Sequence, residues 1–357
     1  MVETTARHPA VSRDHDSPSH RDRPSMPHNL FDDQIAFAGL PAWHGLGTEV
    51  ERGAGVEEMI TAANLDWRVR KDPAPGAWRF PDSSEYDRYL VRRECEDPET
   101  EDPLLGVVGR DYTVLQNIEA FRFFEPFLER GWASFETAGA LGRGERVWVL
   151  ARLQDDIRIV EDDVVHRYLL LSNSHDGSSA VSVRFTCVRV VCQNTLILSS
   201  RGGKKTSEVL IPHTPSLTTR LASEQANKLK ETAEQAFEGA WEHFGRMASR
   251  RVSERETEKY LERLFPRTDR QKQLGEYPLR WHRVFAVLDD DTVTPARTRD
   301  TVWGLYNAVV REEDFRETRG REPPDARLRR IWFGRGSRLK LKALTLAQTL
   351  FRPPALN

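Results

Sequence analysis

SNSHDGSSAVSVRFTCVRVVCQNTL, Ser172 to Leu196, decides the fold. A polar turn feeds a long run rich in β-forming residues. In the turn, Asn173 and Asp176 carry side chains that bond nearby backbone, and Gly177 accepts a positive φ. Just upstream, HRYLLLS continues the sheet. Before it, FETAGAL, the turn GRGE and ERVWVLARL form a further strand pair. In the last of these Val147, Val149, Ala151 and Leu153 share one face, because strand side chains alternate. Strands joined by such short turns pair antiparallel.

Further upstream, LLGVVGRDYTVLQN, Leu104 to Asn117, predicts a strand, a turn and a helix cap. Asn117 is the expected N-cap, with Glu119 in the first turn. Phe121, Phe124, Phe127 and Leu128 form the buried stripe of the following helix, Pro126 kinks or ends it, and Gly131-Trp132 closes it. WRVRKDP and WRFPDSSEYDRYLVRRE are strand and hairpin material. Asp82 to Asp102 holds nine Asp/Glu against three Arg, the mark of a solvent-facing loop. Val56, Met59, Ile60 and Ala63 lie on one face of a short helix. PAWHGLG, Pro41 to Gly47, is a compact turn anchored by its Trp. Residues 1–25 are polar and without apolar period, which predicts a disordered tail, and Met26 is an alternative start.

Downstream, after about residue 215, the period becomes helical. Ala222, Ala226, Leu229, Ala233, Ala236, Ala240, Phe244 and Met247 mark one long amphipathic helix. ERETEKYLERLF, TRDTVWGLYNAVVREEDF and LKLKALTLAQTLF predict three more. The expected fold class is α+β: an antiparallel β-meander body flanked by helices, with a helical C-terminal third. The expected divisions are a tail at 1–25, an α+β core at 26–215 and a helical region packed on it at 216–357.

The chain has 357 residues, 38% of them hydrophobic, enough for a sizeable core. Lys and Arg number 53 against 55 Asp and Glu, so there is no global polyelectrolyte character. Three cysteines, Cys95, Cys187 and Cys192, make no disulfide framework and suit a reducing cytosol. No apolar run nears the roughly 18–20 residues that cross a bilayer, and no signal peptide is visible. These features predict a cytoplasmic protein without membrane contact.

Two groupings carry chemistry. His175-Asp176, with Asn173, His44 and Asn194, is a candidate polar pocket. An HD-type metal centre needs further His and Asp ligands on helices, and neighbours this close rarely make a triad; the competing reading is a structural turn. Cys187 and Cys192 stand on opposite strand faces, which separates them as ligands. GVVGRD lacks the remaining residues of a phosphate loop or dinucleotide fingerprint. Neither a metal nor a cofactor is expected, and no catalytic residue is assigned. The second grouping is two acid-free basic runs. One holds Arg184, Arg189, Arg201, Lys204 and Lys205. The other, Arg327 to Lys342, includes Arg335, Arg338 and Lys340 beside Trp332 and Phe333. Cations beside aromatics suit a phosphate backbone with stacked bases; the competing reading is a solvated basic face.

PAWHGLG, GVVGRDYTVLQN, the ETAGAL–RVWVLARL pair, SNSHDGSS, VRVVCQNTL, VWGLYNAV and WFGRGSRLKLKAL together resemble the phage/plasmid-like family called domain of unknown function 932, over Met26 to Phe351. The resemblance implies a mobile-element protein and no settled reaction. The order helix, Gly131-Trp132, meander, long helix is also similar, at fold level only, to the core of single-strand annealing proteins; the acidic Asp82–Asp102 stretch departs from it. The leading expectation is a non-enzymatic accessory that binds single-stranded DNA in recombination or replication, working as a homo-oligomer. The alternatives are an enzyme built on the His175–Asp176 pocket, and a host-defence-directed interaction module using an exposed apolar face of the long helix.

Overall fold

A computed structural model describes residues 34–39, 47–95, 97, 99–161, 163–189, 194–197, 208–223, 226–316 and 324–350. The tail 1–25, His44, Cys192, Arg201, Lys204 and Lys205 lie outside the described residues. Within them the fold is α+β, with a mostly antiparallel sheet and a helical C-terminal region.

The β-rich segments assemble one nine-stranded sheet: β1 (Ile35–Ala38), β2 (Thr48–Val50), β6 (Ala133–Leu141), β7 (Arg146–Leu153), β8 (Ile157–Val160), β9 (Asp163–Ser174), β10 (Val181–Arg189), β11 (Asn194–Ile197) and β12 (Glu208–Ile211). The spine runs β11-β10-β9-β7-β6-β1-β2, and only the β1–β2 pair is parallel. β12 lies beside the start of β10 and β11 beside its end. A second sheet of three antiparallel strands joins β3 (Val69–Pro73), β4 (Tyr89–Arg93) and β5 (Leu104–Val108) over a small core of Val69, Val91, Leu105 and Val108.

The SNSHDGSS turn sits between β9 and β10. Gly177 has φ +72°, which a side chain would strain. Asp176 accepts from Ser178 N–H at 2.9 Å and from the Ser174 hydroxyl. The small sheet presses on this turn at Gly106 of β5, where a Cβ would lie 2.5 Å from Asp176 Cα.

Alternation gives the large sheet two apolar faces. Val147, Val149 and Ala151 of β7, Leu169 and Leu171 of β9, and Val181, Val183, Phe185 and Cys187 of β10 enter the main core. Over that face lie α1 (Val56–Ala62), α2 (Asn117–Arg122), α3 (Glu125–Glu129), α4 (Leu217–Ser223) and α5 (Ala226–Ser249). Phe121, Phe124 and Phe127 are buried as expected, while the predicted single helix divides into α2 and α3 because Pro126 can only start a new helix. The cap also differs. Gln116 stands at the cap and Asn117 one residue inside, buried. Glu119 accepts from Gln116 N–H at 2.7 Å, and the Gln116 amide pairs with both backbone groups of Val69 at 2.9 Å.

α5 buries Leu229, Ala233, Phe237, Ala240, Phe244 and Met247, so the predicted apolar stripe faces the protein's own core. α6 (Glu254–Leu264), α7 (Asp269–Leu274), α8 (Leu279–Asp289) and α9 (Ala296–Arg299) lead to α10 (Val302–Phe315). α10 is buried on nearly all sides: its first part is largely apolar, and its end carries the buried acids Glu312, Glu313 and Asp314. Trp303 Nε1 donates to Asp163 Oδ2 at 2.9 Å, tying it to β9.

The second face of the sheet carries Ile35, Leu141, Trp148, Leu150, Tyr168 and Leu170. It is covered by the chain after α10: the end of α11 (Pro324–Leu328) and a π-helical turn (Arg329–Phe333), which lead into α12 (Arg335–Leu350). Trp332 meets Trp148 edge-on, ring centroids 5.1 Å apart, and Leu328 is buried beside them. Such aromatic pairs add about 0.5–1.5 kcal/mol beyond area burial.

Candidate functional site

The predicted polar pocket resolves into a buried structural cluster and a separate turn. His175 is fully buried at the end of β9. Its Nε2 lies 2.9 Å from Asn117 Oδ1 and 3.3 Å from Asn173 Nδ2, its backbone N–H donates to Glu145 O at 2.8 Å, and Trp67 flanks its ring at 5.7 Å. Asn117 Nδ2 donates to Leu65 O at 2.9 Å, and Asn173 Nδ2 to Leu115 O at 3.3 Å. These bonds stitch α2 and its neighbouring loops to the sheet. Burial, with the nearby His213 adding to it, pushes the imidazole down to about 3, so it is neutral across the ordinary pH range. Tyr112 stacks on His213 at 4.4 Å and donates to Ser174 O at 2.8 Å. Asp176 turns away from His175 toward Ser174 and Ser178. Burial opposes its ionisation, but those bonds and the charge of Arg146 outweigh it and hold the carboxyl below its usual range. Of the predicted five, Asn173 and His175 therefore meet; Asn194 is placed only as the β11 residue opposite Arg189.

The basic runs are rearranged more thoroughly. Lys340 is corrected: it is fully buried, with Nζ 2.9 Å from Asp314 Oδ1, and reaches no external phosphate from there. Arg330 likewise turns inward to Glu313, and Arg327 donates to Asp314 O at 2.9 Å. The run is acid-free in sequence, but in the fold buried acids at the end of α10 pair with its Arg330 and Lys340. Trp332 and Phe333 are half-buried against the sheet. Arg335 and Arg338 stay exposed at the start of α12. Arg189 ends β10, opposite Asn194.

What the fold does gather is a trio of guanidinium groups at one end of the second face: Arg146 of β7, Arg184 of β10 and Arg329 of the π turn. Arg184 pairs with Glu208 at 2.7 Å and donates to Trp332 O at 3.1 Å. Arg146 is half-buried, reaches the hydroxyls of Ser178 and Ser179 at 3.2 Å, and lies 4.7 Å over the Phe333 ring. Among the described residues no carboxylate lies within ion-pair distance of it. Burial, with the like charges of Arg329 and Arg184 adding to it and Asp176 opposing, pulls Arg146 below the usual guanidinium range. Arg146, Ser178 and Ser179 escaped the sequence reading as anion contacts, while Arg329 belongs to the second basic run. Their signal was there in part, as an arginine in phase with Trp148 and Leu150 on an amphipathic strand.

Among the described residues, no group of three or more His, Cys, Asp or Glu is placed to hold a metal ion, and no helix is long and apolar enough to cross a membrane. The family model described as Domain of unknown function (DUF932) matches residues 104–332, from the first residue of β5 to Trp332 of the π turn. No curated protein and no solved structure matches the chain.

Proposed function

The chain belongs to the DUF932 family, and we propose that it binds single-stranded nucleic acid through phosphate contacts on the second face of its large sheet. The observation that carries this reading is Arg146. A half-buried guanidinium answered by two serine hydroxyls, and crowded by two more arginines, is stabilised by a bound anion that replaces the missing carboxylate. Phosphate diesters present that chemistry repeatedly along a strand, and the exposed Arg335 and Arg338 extend it beyond the trio. The half-buried edges of Trp332 and Phe333 lie beside the trio as stacking surface. A mobile-element setting, a cytoplasmic location and self-association belong to the same proposal.

The test is fluorescence anisotropy with labelled single-stranded DNA, single-stranded RNA and duplex DNA. Three phosphate contacts from the trio alone give a log–log salt slope of about −2, so affinity falls at least about twenty-fold between about 50 and about 200 mM salt. Binding that is absent at low salt, or tighter to duplex than to either single strand, overturns the reading.

A further inference from the structure

The opposite end of the same face holds a second constellation, on β6, β7 and β9. β6 and β7 slip register between Phe135 and Thr137, and Glu136 is the extra residue of that bulge. Bulges of this kind re-aim a side chain and recur beside active sites. Glu136 Oε1 lies 3.4 Å from the Tyr168 hydroxyl. Tyr168 is opposite Arg152 in the β7–β9 register. His166, two residues before Tyr168 and so on the same face, places Nδ1 2.8 Å from Asp156 Oδ1 and 3.0 Å from Arg152 Nη2. Arg152 Nη2 is 3.2 Å from both Asp156 oxygens. The bond to Asp156 fixes the imidazole orientation, and among the described residues Nε2 has no hydrogen-bond partner. Arg152, His166 and Asp156 each remain partly open to solvent.

The environments differ in sign. Burial raises the Glu136 carboxyl above its usual range, against the pull of Arg152, the Tyr168 hydroxyl, His166 and Arg52. Burial also disfavours ionised Asp156, but the bonds and charges of His166 and Arg152 outweigh it and hold that carboxyl below its usual range. A carboxylate tuned toward neutrality, an imidazole oriented by a second carboxylate, a guanidinium and a phenol make a set for acid–base chemistry at a phosphorus centre.

We propose that Glu136, Arg152, His166 and Tyr168 form a metal-independent site that cleaves single-stranded RNA by internal transesterification. The assignment rests on the nucleic-acid reading above. The Glu136 carboxylate takes the proton of a ribose 2′-hydroxyl as its oxygen forms a bond to the adjacent phosphorus. The bond from phosphorus to the 5′-oxygen breaks, and the His166 imidazolium gives its Nε2 proton to that oxygen. Arg152 and the Tyr168 hydroxyl stabilise the charge on the non-bridging oxygens. The products are a 2′,3′-cyclic phosphate and a 5′-hydroxyl; protonated Glu136 and neutral His166 exchange protons with solvent. No water, metal or oxidant enters the step. Arg146 and Arg152 are six strand residues apart on β7, about 20 Å, so the arginine trio holds the strand some nucleotides away from the reacting bond.

The experiment incubates the full chain with a labelled single-stranded RNA in chelator and analyses the termini by mass spectrometry. Cleavage to cyclic-phosphate ends is expected, with DNA of the same sequence untouched. Glu136→Gln and His166→Ala each slow cleavage about a hundredfold or more while anisotropy shows unchanged RNA affinity, and added imidazole partly restores His166→Ala. Asp156 is a positioning residue: Asp156→Asn lowers the rate and changes its pH profile without changing affinity. RNA that is bound but stays intact, DNA that is cut alongside it, or cleavage indifferent to both variants overturns the site while leaving binding in place. RNA that is not bound at all overturns both readings.

Discussion

Replacing Gly106 with alanine is expected to destabilise the protein by about 3 kcal/mol. The new Cβ lies 2.5 Å from Asp176 Cα, 3.0 Å from its carbonyl carbon and 3.1 Å from its oxygen. Carbon atoms rest at about 3.5–4.0 Å, so the small sheet and the β9–β10 turn must part by about 1 Å. The obstacle is backbone, held by Ser178 N–H on Asp176 at 2.9 Å and by His175 N–H on Glu145 O at 2.8 Å. It gives way less readily than a side chain, which places the cost at the upper end of the roughly 1–3 kcal/mol for overpacking. Gly109 is the matched control: its Cβ would meet nothing within 4 Å, its φ is not positive and it is exposed. Alanine there changes stability by about 0.5 kcal/mol or less, or adds slightly to it through the unfolded chain. Urea unfolding of the two variants measures the difference directly. Equal stabilities within about 0.5 kcal/mol would refute the close approach of β5 to the turn.

His175 takes up its proton at about 3 when folded and near 6.5 when unfolded, so between those values the unfolded chain binds more protons. Stability therefore falls as pH drops below about 6.5, by about 1.4 kcal/mol per pH unit from this group, and its share of the slope disappears below about 3. His175→Gln removes that share; unfolding curves with the same pH slope in both proteins would contradict it. Asp314→Asn strips the buried Lys340 ammonium of the carboxylate 2.9 Å away and costs about 3–5 kcal/mol in urea unfolding. A change under about 1 kcal/mol would mean that Lys340 is not a buried charge.

The sheet was legible because its strands are local and strongly patterned. Val147, Val149 and Ala151 alternate on β7, and the SNSHDGSS turn carries its own glycine and side-chain bonds. The long helix was legible for the same reason, apart from Phe237, whose position beside Ala236 hid it from a stripe counted in fours and threes. α7 and α9 are too short to show a period and were missed, and so was α8. The C-terminal basic run misled because its acids lie elsewhere in the chain: Glu313 and Asp314 precede the run in sequence and meet Arg330 and Lys340 only in the folded protein. The aromatic pair Trp332-Phe333 carried no sign that a sheet face awaited it. Both clusters on that face draw on residues from several strands and, for Arg329, from the far end of the chain. Spacing along one segment does not encode that kind of convergence.

The most direct test of nucleic-acid binding on the second sheet face is the salt slope of single-strand affinity in wild type and in Arg146→Gln/Arg329→Gln, each checked for an unchanged circular dichroism spectrum. Each lost phosphate contact lowers the slope by about 0.7 for a single strand. The account predicts a slope shallower by about 1.4 in the double variant, with weaker binding at low salt. A folded double variant that binds with the wild-type affinity and slope would contradict it.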